Sequence, residues 1–213
     1  MKRIIAVIAL LFLFAGNVWA TDQTIKATEE MVGSGHATKS DTLNRLTLVE
    51  HNTDGTHKNI PGHVVQVVNF STSDHATGTT VLPYDNTIPQ KTEGDQYLSV
   101  SITPKSAANY LLIVVNAYGG HSAALTHCTV ALFQDDTANA LAAQGWYTSE
   151  TQGSISRGIN LIYKMTAGTD TATTFKVRMG GSQPGTFTFN GYNGAALYGG
   201  VSVSSITIYE IAA

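Results

Sequence analysis

From Val64 to Ile211 the chain is an almost unbroken succession of short strand-like runs, and nothing else in it limits the fold as much. VVQVVNF, YLSVSIT, NYLLIVVNAY, HCTVALFQ, INLIYKM, TFKVRM, TFTFNGY and VSVSSITIYEI follow one another. Turn clusters separate them: Ser73-Asp74, Pro83-Tyr84-Asp85, Asp135-Asp136, Ala167-Gly168 and Ser182-Gln183-Pro184-Gly185. Strand runs recurring roughly every 10–15 residues, with no helical stretch between them, predict an all-β antiparallel sandwich or barrel.

Several of these runs are apolar on both faces. In NYLLIVVNAY one face carries Tyr110, Leu112 and Val114, and the other Leu111, Ile113 and Val115. In the terminal run Val201, Val203, Tyr209 and Ile211 alternate with Ile206 and Ile208. A sheet with one face in water alternates apolar with polar residues. One apolar face can meet the protomer's own core. The second needs a cover, supplied by another copy of the chain or by a loop or short extra strand. Another copy is the favoured expectation, which makes the protein a homo-oligomer. Only 13% of residues are charged, against roughly 25% in ordinary soluble domains. A Thr- and Ser-rich surface with so little charge fits an assembled protein.

The first twenty residues stand apart. Lys2 and Arg3 precede an apolar run from Ile4 to Phe14, and Val18-Trp19-Ala20 ends the segment. The pattern predicts a secretory signal peptide over 1–20, too short to span a membrane as a mature helix. A membrane tether or a buried N-terminal helix is the alternative. No Cys follows the run, which argues against a lipoprotein. Export is therefore expected, with membrane contact only through this segment. Without Lys2 and Arg3 the chain carries ten basic against fifteen acidic residues, and nucleic-acid binding ordinarily needs a basic footprint.

Residues 21–62 read as a polar N-terminal arm or stalk, and 63–213 as the head. Ser40 or Asp41 would cap a short helix bearing Leu43, Leu46 and Val49; the same residues also suit an extended stalk. His51, His57 and His63 recur every six residues. Around a three-fold axis they would bring imidazoles together to hold a metal or an anion. A turn at Asn52-Thr53-Asp54-Gly55 explains them more simply, since a loop lacks the fixed geometry a metal requires. No cofactor or metal is expected.

No HExxH, CxxC, Walker loop or GxGxxG occurs. Gly119-Gly120-His121-Ser122-Ala123 resembles a nucleophile elbow but lacks the Gly after Ser, and reads as a connecting loop. Cys128 is the sole cysteine, inside an apolar run, and reads as a small buried hydrophobe. Asp135-Asp136 offers hard ligands for calcium without EF-hand spacing, and serves equally as a turn. A carboxylate pair for glycoside hydrolysis cannot be seen in one sequence. The expectation is a protein that is not an enzyme.

Binding residues are sought in loops. Tyr118 and His121 flank Gly119-Gly120, Trp146 and Tyr147 follow Gly145, and Asn190, Tyr192 and Asn193 sit among glycines. An aromatic ring beside an amide is a platform for a sugar, the ring stacking on C–H faces and the amide bonding hydroxyls. Rings in such loops also serve as packing plugs.

The run from Val64 to Val115 resembles the C-terminal heads of tailed-phage fibre and virion-appendage proteins. The resemblance is carried by Gln66-Val67-Val68, Gly78-Thr79-Thr80, Asp85-Asn86-Thr87-Ile88-Pro89-Gln90, Glu93-Gly94-Asp95-Gln96-Tyr97 and Ile102-Thr103-Pro104. Ala131-Leu132-Phe133-Gln134-Asp135, Thr174-Phe175-Lys176-Val177-Arg178 and Ser205-Ile206-Thr207-Ile208-Tyr209-Glu210-Ile211 extend it over nearly all of 64–211. It implies a jelly-roll sandwich like the C1q and tumour-necrosis-factor heads. It also implies a homotrimer with the terminal strand near its axis, and Val203, Ile206, Ile208 and Tyr209 at the interface. Such a head stands at the tip of a stalk, virion-associated, and meets a host cell-surface glycan or protein. Two alternatives accompany this expectation: a purely structural trimerisation or capping head, and a secreted hydrolase.

Overall fold

The computed structural model describes residues 60–148 and 155–213. The leader, the helix of the arm, His51 and His57 fall outside the described residues. His63 is exposed just before the first strand, its carbonyl accepting the Ala212 N–H at 2.8 Å. Residues 59–213 form a single compact unit.

Among the described residues the chain forms β1 (Val64–Thr72), β2 (Ala76–Gly78), β3 (Asp95–Ile102), β4 (Tyr110–His121), β5 (His127–Gln134) and β6 (Ala142–Tyr147). It continues with β7 (Ile155–Thr166), β8 (Thr173–Gly181), β9 (Phe187–Phe189), β10 (Gly191–Tyr192), β11 (Ala195–Ala196) and β12 (Ser204–Ile211). One sheet runs β1-β12-β4-β9-β2, with β7 on the other side of β4; the second runs β3-β8-β5-β6; β10 and β11 form a hairpin. The pairings within the two main sheets are antiparallel. The chain changes sheet from β3 to β4, β4 to β5, β6 to β7 and β7 to β8, so neighbours in sequence face each other across the core. This is a jelly-roll β-sandwich.

The core forms because period-two alternation sends one set of side chains inward from each sheet. Leu111, Ile113, Val115 and Ala117 of β4 and Ile206 and Ile208 of β12 point in from the first sheet. Cys128, Val130 and Leu132 of β5 and Phe175, Val177 and Met179 of β8 point in from the second. Each large apolar side chain buried in this way stabilises the fold by about 1.5–3 kcal/mol. Ile206 and Ile208 have no exposed surface, so they belong to the protomer's own core and not to a contact between copies. Val203, just before β12, is 54% exposed, and Tyr209 lies partly open on the outer face.

The second sheet is also covered outside. Leu82 inserts against Ala131 and Phe133, and its N–H donates to the Gly181 carbonyl at 3.0 Å. A Cβ on Gly180 would sit 2.8 Å from the Thr80 carbonyl oxygen, so the segment approaches this closely only because glycine is there. Farther along, Ala140 N–H donates to Pro89 O and Lys91 N–H to Ala138 O. Residues 80–94 are thus fastened at both ends across the outside of the sheet.

Two segments expected as loops are strand. Gly119-Gly120-His121 continues β4 between β7 and β9, and a side chain on Gly120 would strike the Ile155 carbonyl. Trp146 and Tyr147 end β6, paired to Cys128 and His127.

Candidate functional site

The fastening of residues 80–94 leaves their middle standing off the sheet. Tyr84 to Pro89 forms one wall of an open cleft of about 490 Å³, with the outer face of β5 and the edge strand β6 as floor and opposite wall. The Tyr84 ring lies flat on the His127 imidazole, centroids 3.5 Å apart and planes 2° from parallel. His127 in turn meets Tyr147 at 4.6 Å and 46°. His127 and Tyr147 face each other across the β5–β6 ladder, so strand register sets one contact and the fastened segment the other. Tyr84 remains 66% exposed and Tyr147 43%. Three aromatic rings therefore form a continuous surface, with Tyr84 and Tyr147 open to solvent among the described residues.

Polar groups accompany it. Thr129 rises from β5 into the floor, and Gln144 lines the β6 side. Among the described residues Asp85 is the only carboxylate lining the cleft, and no Lys or Arg lines it. Its Oδ1 accepts the Thr87 hydroxyl at 2.6 Å and the Thr87 N–H at 2.8 Å, and these bonds, the hydroxyl's first, hold its carboxyl below the usual range. Opposite Thr129 stands Gly145, where a Cβ would meet the Cys128 carbonyl oxygen at 2.6 Å. The floor is therefore bare at this point.

The structure brings Trp146 and Tyr147 to this cleft but not the other expected site residues. Trp146 also packs into the core, edge-on to Phe187 at 6.4 Å, and its buried indole N–H has no acceptor among the described residues. His121 is 2% exposed; its Nδ1 accepts the Ala123 N–H at 3.1 Å, and burial lowers its pKa. Asn190 is buried as a brace between segments. Tyr118 is half-buried on the outer face of β4, its phenol pushed up by burial and by Tyr198 against the pull of a Ser156 hydrogen bond. Tyr192 is exposed on the β10–β11 hairpin.

Tyr84, Asp85, His127, Thr129 and Gln144 were not singled out in the sequence. Pro83-Tyr84-Asp85 registers there as a turn, and an aromatic in a turn is the available signal. Asp135, in turn, uses its carboxylate on the Thr173 hydroxyl at 2.9 Å and the Thr174 N–H at 2.7 Å. Among the described residues no three His, Cys, Asp or Glu side chains gather as a metal ion would need.

No protein-family model and no curated protein sequence matches the chain. Among solved structures, the Eiger TNF of S. frugiperda superposes with a TM-score of 0.38 at 14% identity, covering 70% of this chain and 94% of that one. The carbohydrate-binding module CBM36, solved with calcium and xylotriose, gives 0.34 at 13%, covering 66% and 98%. The sugar-binding C-terminal domain of EclA gives 0.32 at 16%, covering 65% and 89%.

Proposed function

We propose that this chain is a non-enzymatic head module that assembles as a homotrimer and binds a cell-surface receptor, a glycan, in the manner of a phage tail-fibre head. It works exported from the cell or carried on a virion. The observation that carries the reading is the outer face of the first sheet. Strand register sets Val67, Tyr209, Leu112 and Lys164 in one row across it, and Asn69, Thr207, Val114 and Ile162 in the next. Val67 is 51% exposed and Ile162 66%. Among the described residues, the backbone of β10 and Tyr198 approach this face at Ser156 and Tyr118, while Val67 and Ile162 stay open to solvent. Val67, Tyr209, Leu112, Val114 and Ile162 make an open, largely apolar surface edged by Asn69, Thr207 and Lys164, and an exposed apolar patch of this kind meets another protein. A three-fold arrangement of copies covers it on every protomer and closes on itself.

The non-enzymatic part is consistent with the cleft, where among the described residues Asp85 has no second carboxylate beside it of the sort glycoside hydrolysis uses. A purely structural capping head is the second reading, favoured by the burial of His121 and Asn190, which removes two expected binding residues from the surface. Light scattering coupled to size exclusion on the full chain tests the assembly: a mass of three protomers is expected, and a monomer at micromolar concentration overturns it.

A further inference from the structure

We infer that the cleft between Tyr84–Pro89 and β5–β6 is a saccharide site that takes a neutral pyranose unit of a glycan. This rests on the reading of the head as a glycan-binding module, and adds which surface does the binding and which class of sugar it accepts.

An exposed aromatic surface lines the cleft. Tyr84 is stacked on His127 at 3.5 Å, so its inner face is occupied while most of the ring stays in water. A large apolar ring held rigidly and left exposed costs solvation without contributing to the core, because the Tyr84 ring joins neither hydrophobic cluster. Tyr147, tilted against the same imidazole, is likewise half open. A pyranose offers a patch of C–H groups on one face and hydroxyls around its rim. Its C–H face matches an exposed aromatic plane, and stacking there removes apolar surface from water on both partners. The ring is fixed beforehand by the imidazole and by the fastened ends of 80–94, so little conformational freedom is lost on binding.

Hydrogen-bonding capacity in the cleft is also unused. Thr129 stands on the outer face of β5 in the floor of the cleft, and its hydroxyl makes no hydrogen bond within the protein among the described residues. Asp85 is tied through Oδ1 alone, which leaves Oδ2 to accept from sugar hydroxyls. A few convergent polar groups beside an apolar surface, in a space of this volume, are what a small-ligand site requires.

Charge narrows the ligand. Among the described residues the lining holds one carboxylate and no Lys or Arg. A sialic or uronic acid would bring a second negative charge against Asp85 with no cation to receive it, and like charges repel. The cleft therefore selects neutral sugars.

The test is a printed array of neutral and sialylated oligosaccharides probed with the labelled full chain, followed by titration of the tightest free oligosaccharide against wild type and three variants. Binding to neutral glycans is expected. Tyr84→Ala and Tyr147→Ala should each weaken it by about tenfold or more, the scale of losing an anchoring aromatic. Tyr84→Phe should stay within about threefold, because the ring is kept. Both tyrosines are exposed, so their removal should leave the melting temperature and the oligomer mass unchanged. Neutral-glycan binding that survives both alanine variants overturns this site while the glycan-binding head stands. Binding confined to sialylated glycans overturns the neutral class. A folded trimer that binds no glycan on the array overturns both the site and the glycan reading, and favours the capping head.

Discussion

The Asn109 amide donates a 2.6 Å hydrogen bond to the Glu210 carboxylate, although the two residues lie on different segments and Glu210 has no exposed surface. Glu210 also receives the Gln66 amide at 2.6 Å and the backbone N–H groups of Lys105 at 2.8 Å and Ser106 at 3.3 Å. One carboxylate thus ties β1, the β3–β4 connection and the terminal strand together. Burial alone would raise its pKa, but the donors outweigh it, Asn109 and Gln66 foremost, and hold the carboxyl below its ordinary range.

A lowered folded-state pKa fixes the direction of the pH dependence. The unfolded carboxyl takes up its proton near about pH 4.3, and the folded one only at lower pH. The stabilisation is therefore complete above that value and is lost as pH falls through the folded pKa. Thermal melts from pH 7 to pH 3 should show a flat plateau followed by a fall below about pH 4.5. Glu210→Gln leaves donors without their acceptor and should cost about 1–3 kcal/mol at pH 7. Its acid limb should also be shallower than that of wild type; an equally steep limb would remove Glu210 as the source.

Asn190 is predicted to act in folding and not in ligand contact. Its Nδ2 donates to Thr72 O at 2.9 Å and Asp74 O at 3.2 Å, and its Oδ1 accepts from the Ser204 hydroxyl at 2.6 Å. Its φ of 50° lies in the left-handed region, where Asn is tolerated and Ala is strained by about 1–2 kcal/mol. Asn190→Gly removes only the side-chain bonds, and Asn190→Ala adds the backbone strain. Urea titrations should rank stability wild type, then Gly, then Ala. Equal losses for the two would place the whole effect in the side chain.

Cys128 should be silent to thiol reagents in the native protein. It is fully buried in β5, and burial pushes its thiol up to about 12, only partly offset by the His121 N–H. The thiolate is the reactive species. Ellman's reagent at pH 8 should label one thiol per chain in denaturant and essentially none without it. Rapid native labelling would mean that β5 opens.

Strand content was legible because apolar and β-branched residues recur at period two; HCTVALFQ coincides with β5 from His127 to Gln134. The strand β6 was not, because Ala142-Ala143-Gln144-Gly145 has weak strand preference and is held by its ladder with β5. The doubly apolar runs pointed to a need for cover outside the sandwich, but a sequence does not show which alternate set faces in. Ile206 and Ile208 went to the core and Tyr209 to the outer face. Of the cleft, Trp146 and Tyr147 could be named in advance because they follow Gly145. Tyr84 and His127 could not be paired, since they meet only through the path of 80–94 across the sheet.

The outer-face reading makes a prediction that separates assembly from folding. Ile162 is 66% exposed in the protomer, so the sandwich itself gains little from it. If copies pack on this face, Ile162 is removed from water there, and Ile162→Asp would place a carboxylate without a partner in an apolar contact, at a cost of several kcal/mol. Light scattering should show the mass fall from three protomers to one, while circular dichroism keeps the β-sheet signature of wild type. Tyr84→Ala, on the opposite sheet, should remain trimeric. An Ile162→Asp protein that stays trimeric would move the contact away from the β12–β4–β7 face, and with it the physical support for this mode of assembly.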